Sequence, residues 1–284
     1  MTQTFRQLKD RIRSIDNTRK TTRAMEMVSA SKLNRVKLPF FSSKNYFSNL
    51  ERIFFDLLSD IEPAAHPLLE ERVDKGSVAL MVVSSDTGLC STYNNNVIRC
   101  AKEFADGIGG RRVKIIAVGK EAFSHFKRDG YTVENSYLGI RGKFSEPLAQ
   151  GITKMLTDTF LSRSADEVYI AYTHFSSSLR HRPVVEKFLS IDHPRKNRNY
   201  YILEPGKETI MNELVSRYLL GRIRLILLDS MTAEHSARML AMKLATDNAD
   251  ELIDTLTLLK NKARQAAITK EVLEIAMSAE ALKG

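Results

Sequence analysis

The sequence predicts an α/β middle domain flanked by two long helical ends that pair with each other. Three observations carry that prediction. Residues 76–200 alternate short β-branched runs with amphipathic stretches, while residues 1–62 and 208–284 keep a helical rhythm. The last segment has one internal glycine, Gly221, and no proline. From Met242 its apolar positions continue through Ala245, Ala249, Leu252, Leu256, Leu259, Ala263 and Ala266 at alternating spacings of three and four. A sustained seven-residue repeat marks a left-handed coiled coil.

The N-terminal helix rests on Phe5, Leu8, Ile12 and Ile15, and again on Phe47, Leu50, Phe54, Leu57 and Ile61. Spacings of three and four place each set on one helical face. Pro39 removes a backbone donor and crowds the preceding turn, which predicts a kink or break near residues 38–43. Ser42 or Ser43 would cap the restart. Pro63 and Pro67 end the segment.

In the middle, strands are predicted at Ser77–Val83, Val113–Val118, Tyr131–Tyr137, Glu167–Tyr172 and Val184–Ile191. Helices fall around 95–106, 120–128 and 146–163. Strands alternating with helices predict a sheet covered by helices and parallel at least in part. The C-terminal segment, if helical throughout, would extend about 110 Å at ~1.5 Å per residue. Such a helix must leave its domain and lie against another element, and residues 1–62 are the partner within the chain.

Composition excludes several classes. The 284 residues are 43% hydrophobic and 27% charged, which suits a globular protein and not a disordered one. No apolar run approaches the ~20 residues of a membrane helix, and the densest, Ile223–Leu228, is broken by Arg224. The polar N-terminus shows no signal-peptide core. Cys90 and Cys100 cannot form a disulfide framework, so reduced thiols in a cytosolic compartment are expected.

The net charge of +9 is concentrated at one end. Residues 1–37 carry ten basic side chains against Asp10, Asp16 and Glu26, whereas residues 209–284 balance ten bases with ten acids. The N-terminal end is therefore built to meet something negative: nucleic acid, an acidic protein surface or anionic lipid. A nucleic-acid binder would interleave aromatics or present a known module, and neither is visible. A helix gripped by an acidic protein collar fits the charge at least as well.

Catalytic motifs are incomplete. Gly107-Ile108-Gly109-Gly110 resembles half a dinucleotide fingerprint, but Arg112 takes the third glycine position and a strand follows instead of preceding. Gly119-Lys120 lacks both the first glycine and the Ser or Thr of a phosphate loop. His66, His125, His174, His181, His193 and His235 show no metal-site spacing. The loop Ser84-Ser85-Asp86-Thr87-Gly88-Leu89-Cys90 follows the first strand, where α/β folds often bind ligands. Cys90 has no histidine nearby in sequence to activate it, so a turn or a partner surface is the better reading. No cofactor is expected.

The termini carry a more specific signal. The stretch Asn17-Thr18-Arg19-Lys20-Thr21-Thr22-Arg23-Ala24-Met25-Glu26-Met27-Val28-Ser29-Ala30-Ser31-Lys32 resembles the opening helix of the γ subunit of F-type ATP synthases. Glu234-His235-Ser236-Ala237-Arg238-Met239-Leu240-Ala241-Met242-Lys243-Leu244-Ala245-Thr246-Asp247-Asn248-Ala249 is similar to that family too. Asn261-Lys262-Ala263-Arg264-Gln265-Ala266-Ala267-Ile268-Thr269-Lys270-Glu271 resembles its C-terminal signature, and the likeness covers essentially the whole chain.

That resemblance implies a long antiparallel coiled coil of the N- and C-terminal helices with a central Rossmann-like α/β domain. It implies a central-stalk rotor, non-catalytic by itself, that couples ion-driven turning of the c-subunit ring to conformational cycling of the catalytic β subunits. The implied partners are a ring of three α and three β subunits, the ε subunit and the c ring, with no nucleic acid. Membrane association would come only through the complex. The implied place is the cytoplasmic face of the bacterial inner membrane, or an organelle if the chain is a processed form. Met25, Arg238, Arg264, Gln265 and Thr269 are the implied contacts to β, Arg238 acting in part through the facing helix. Asp86, Tyr201 and Glu204 are the implied contacts to the c ring and ε. The chain departs from the family pattern at Thr87, Ser91, Lys260 and Pro39.

Overall fold

The computed structural model describes residues 4–58, 66–70, 72, 76–191 and 206–281. The chain divides into two compact units, one of residues 1–28 with 239–284 and one of residues 29–238. The elements in order are α1 (Phe5–Leu58), β1 (Ser77–Val83), α2 (Tyr93–Gly107), β2 (Arg112–Val118), α3 (Lys120–Arg128), β3 (Thr132–Tyr137), α4 (Glu146–Leu161), β4 (Glu167–Ser177), β5 (Arg180–Leu189) and α5 (Lys207–Ala281). Among the described residues no helix is long and apolar enough to cross a membrane.

In the larger unit the five strands lie in the order β3-β2-β1-β4-β5. The first four are mutually parallel, and β5 returns antiparallel to β4. The central strand β1 is buried on both faces, as its apolar sequence requires. Leu80 and Val82 face Val97, Ile98 and Ala101 of α2 and Phe126 of α3. Ala79, Met81 and Val83 face the opposite way, into a core with Ile152, Leu156 and Phe160 of α4. Period-two alternation thus builds two cores from one strand.

The second core also takes in the near halves of α1 and α5. Phe47 and Phe54 flank Tyr218, with ring centroids 5.4 and 4.2 Å away and near-parallel planes. Gly221 permits that approach, since a Cβ there would stand 3.2 Å from the Phe47 ring. Of the kink or break expected near residues 38–43, the break does not occur. α1 runs unbroken with Pro39 inside it, so Ser42 and Ser43 lie mid-helix and cap nothing. Phe40 is 1% exposed and packs edge-on to Phe175 at 6.0 Å, and Val36 is buried beside it. Burial on either side of the proline outweighs the lost backbone bond.

In the smaller unit α1 and α5 run antiparallel. Arg19 meets Asp250 at 2.8 Å and Thr22 meets Thr246 at 2.8 Å, so the partner number falls as the α1 number rises. The predicted repeat holds for one of its two rows. Met242, Ala249 and Leu256 are buried and Ala263 is half-buried. The other row is displaced by one residue: Thr246 is buried and Ile253 half-buried, while Leu252 and Leu259 are 51% and 47% exposed. A hydroxyl that finds a partner can replace an apolar side chain in the seam. An apolar count alone misses that substitution.

Candidate functional site

The functional question centres on α5 where it crosses the carboxyl ends of the sheet. Residues 226–238 are all buried, although they include Asp229, Ser230, Thr232, Glu234, His235, Ser236 and Arg238. A helix buried all round pairs nearly every polar group it carries. Asp229 accepts from the Phe175 amide at 2.7 Å and faces His174 Nδ1 at 2.6 Å, both on β4. The Tyr93 hydroxyl at the start of α2 lies 2.7 Å from the Ser230 hydroxyl. Ser236 donates to the Ser178 carbonyl at the β4–β5 turn (3.1 Å). His235 Nε2 meets the Gly142 carbonyl at 2.9 Å.

Arg238 completes the set. Its guanidinium donates to Glu234 at 2.7 Å, to the Thr87 carbonyl at 2.8 Å, to the Thr87 hydroxyl at 3.1 Å and to the Gly88 carbonyl at 3.3 Å. Each of its three nitrogens thus has a partner inside the unit. The loop after β1 is thereby fastened to α5. From the first turn of α2, Asn94 bonds the Ser85 amide and hydroxyl of that loop at 3.0 Å and reaches the Cys90 sulfur at 3.2 Å. Burial pushes the Cys90 thiol up, against the pull of Arg238, so the thiolate needed of a nucleophile is disfavoured.

Asp86 is spent on backbone. Its Oδ1 accepts the Lys120 and Gly139 amides, each at 3.1 Å, and its Oδ2 the Arg141 amide at 2.6 Å. The amino end of α3, where related sheets hold a phosphate, is thus occupied by the chain's own carboxylate. Between Val83, Val118, Tyr93, Ser230 and Glu234 the cleft keeps about 10 Å³ of space. That is the room of roughly one water, far short of a nucleotide. Among the described residues no group of three metal-ligating side chains comes together.

α5 changes character beyond this crossing. From Arg264 to Ala279 every residue is exposed, including Ile268, Val272, Leu273, Ile275 and Met277. α1 begins only at Phe5, and in the antiparallel register its start is used up before this stretch. So many exposed apolar side chains in one stretch of helix mark a surface for another protein.

The sequence comparisons decide what kind of protein uses these features. A family model described as ATP synthase matches residues 4–282. The ATP synthase gamma chain of Chloroflexus aurantiacus is 40% identical over 286 residues, covering 98% of each chain. That of Chloroherpeton thalassium is 36% identical over 299 residues, covering 99% of this chain and 98% of its own. The chain belongs to the ATP synthase γ family.

Its fold agrees with solved stalks. A chain of the Euglena gracilis mitochondrial ATP synthase, solved with OSCP, F1 and c-ring, aligns with a TM-score of 0.69 at 15% identity. It covers 98% of this chain and 94% of that one. A chain of the Tetrahymena thermophila central stalk and c-ring aligns at 0.62 and 20% identity, covering 79% and 99%. As a γ chain this protein is a central-stalk rotor subunit and not itself a catalyst.

The residues expected to meet partners fall into distinct settings. Arg264, Gln265 and Thr269 are exposed on α5, and Thr269 donates to the Gln265 carbonyl at 3.0 Å. Met25 is half-buried in the smaller unit. Arg238 and Asp86 are committed to contacts inside the larger unit, as described above. Tyr201 and Glu204 lie outside the described residues. Sequence reasoning missed Tyr93, Asp229, Ser230, His235 and Gly142. The available signal was the run from Leu225 to Ala237, which has no lysine or arginine.

Proposed function

We propose that residues 264–281 of α5 form the end of the shaft that turns inside a ring of three α and three β subunits. The exposed apolar side chains Ile268, Val272, Leu273, Ile275 and Met277, spread around the helix, carry this reading, because nothing among the described residues covers them. Arg264, Gln265 and Thr269 supply polar contacts to the catalytic β subunits, and Met25 lies on the facing helix. A single asymmetric shaft touches three equivalent sites differently, and each orientation favours a different conformation at each site.

Residues 1–62 and 208–284 serve as the paired helices of that shaft. Residues 76–200 form the globular part, which meets ε and the c ring, and Tyr201 and Glu204 are the contacts expected to serve it. Asp86 acts there by holding its loop in shape. The complex places the chain on the cytoplasmic face of a bacterial inner membrane. The basic N-terminal helix meets acidic groups of the surrounding subunits.

Purification of the tagged chain from its native membranes tests the reading. Recovery of α and β at three copies each, with ATP hydrolysis confined to the complex, supports it. The Thr269→Cys variant should then cross-link to β. A chain recovered alone, or a Thr269→Cys variant whose new thiol reaches only solvent in the active complex, would overturn it.

A further inference from the structure

His235 is fully buried, and its Nδ1 is the one buried side-chain nitrogen on α5 without a hydrogen-bond partner among the described residues. Its other nitrogen, Nε2, lies 2.9 Å from the Gly142 carbonyl oxygen. A carbonyl can only accept, so Nε2 carries the proton and Nδ1 is the bare nitrogen of a neutral imidazole. Gly142 has a φ of +64°, and a Cβ there would stand 2.5 Å from His235 Cε1. Loop and ring are therefore in a contact that only glycine allows. The same loop is held elsewhere by Asp86, through the Gly139 and Arg141 amides, and by Lys32, which donates to the Arg141 carbonyl at 3.4 Å.

We propose that His235 is a positioning residue that holds the 138–142 loop against α5 only as the neutral imidazole, so that acidification releases the loop from the helix. A second proton would have to enter at Nδ1, in a fully buried place with no acceptor. The charged groups around the ring do not offset this. On α5 Glu234 would attract an imidazolium, but Glu234 is already paired with Arg238, which repels it. From α1 Lys32 repels it as well. Tyr93 of α2, close enough to feel Glu234, stays neutral because burial pushes its hydroxyl well up. Burial is the largest influence on His235 and holds it below the ordinary value of 6.5. Arg238 and Lys32 push the same way, while Glu234 and the Gly142 carbonyl oppose them.

A histidine depressed in the folded state keeps its contact fully above about pH 6.5 and loses it as pH falls through the lowered value. His235 thereby gives the α5 crossing a pH-sensitive joint.

Hydrogen exchange of the 138–143 segment in the full-length chain tests it, corrected for the intrinsic pH dependence of amide exchange. Between pH 7.5 and 5.0 exchange should rise by up to about tenfold per pH unit, the one-proton limit. β1 should stay protected throughout. His235→Gln keeps a nitrogen donor near the Nε2 position and cannot titrate, so its profile should be flat. A flat wild-type profile, or an equal rise in His235→Gln, overturns the proposal. If that variant fails to fold, the wild-type His235 ring is titrated by NMR. A midpoint below 6.5 that coincides with the exchange midpoint supports the proposal, and a midpoint elsewhere overturns it.

Discussion

The hydroxyls of Thr22 and Thr246 lie 2.8 Å apart across the paired helices, in a seam otherwise built from Met242, Ala249 and Leu256. Thr246 also reaches the Met242 carbonyl at 2.9 Å, and Thr22 the Arg19 carbonyl at 2.9 Å. Each hydroxyl has one hydrogen, so one donates to its own helix while the other donates across. The pair fixes the register where apolar contacts alone would tolerate a slip.

Thr246→Val should therefore cost about 1 kcal/mol of stability, read as a lower urea midpoint of the full-length chain. Adding Thr22→Val should cost less than its effect alone, because neither hydroxyl is then left waiting for the other. Strict additivity of the two substitutions would show that the contact contributes nothing.

Arg238 and Glu234 form an ion pair whose side chains are 8% and 5% exposed. Arg238→Met should lower stability by about 3–5 kcal/mol, because it strands a buried carboxylate and the Thr87 and Gly88 carbonyls. Adding Glu234→Gln should return a large part of that loss. Equilibrium denaturation of the two variants compares them, and an Arg238→Met chain as stable as the parent would contradict the buried role.

Much of the sheet was legible because its strands are short, apolar and bounded by turn residues. β1 and α3 fall on their predicted bounds, since Gly76 and Gly119 stand directly before them. The coiled-coil seam was half legible. The row of Met242, Ala249 and Leu256 announced itself by hydrophobicity, while Thr246 entered through a hydroxyl partner 224 residues away in sequence. Arg238 was recognisable by its motif, but an arginine on a helix does not reveal whether it faces a partner or its own chain. Only the folded loop at Thr87 shows what it bonds within the chain. His235 was hidden for the same reason, because its partner is a backbone carbonyl and carries no sequence signature.

Asp166 links the end of α4 to the first strand. It accepts from the Ser77 amide at 2.8 Å and hydroxyl at 2.9 Å, and lies 3.5 Å from Arg72. Burial would raise its carboxyl, but Ser77 and Arg72 outweigh it and hold it below the ordinary 3.8. A carboxylate depressed in the folded state stabilises above its unfolded value, and that stability is lost as pH falls below it. Asp166→Asn should cost about 2 kcal/mol at pH 7 and make the acid limb of the stability curve shallower below about pH 4. Urea unfolding from pH 7 to 3 measures both effects, and parallel curves for parent and variant would rule the role out.

Pro39 sits on the exposed side of a continuous helix, between the buried Val36 and Phe40. It denies the Arg35 carbonyl its helical donor and crowds that turn, a defect of about 3 kcal/mol in an ordinary helix. Part of this is offset, because proline also restricts the unfolded chain by about 0.4–1 kcal/mol. Pro39→Ala restores the donor without touching Phe40 or Val36, so the full-length chain should gain about 2 kcal/mol. The gain should appear as a higher urea midpoint with an unchanged slope, since the surface buried on folding is the same. A loss of stability would mean that the proline shapes the helix so that Phe40 can reach Phe175, and the edge-on contact of those two rings would then depend on it.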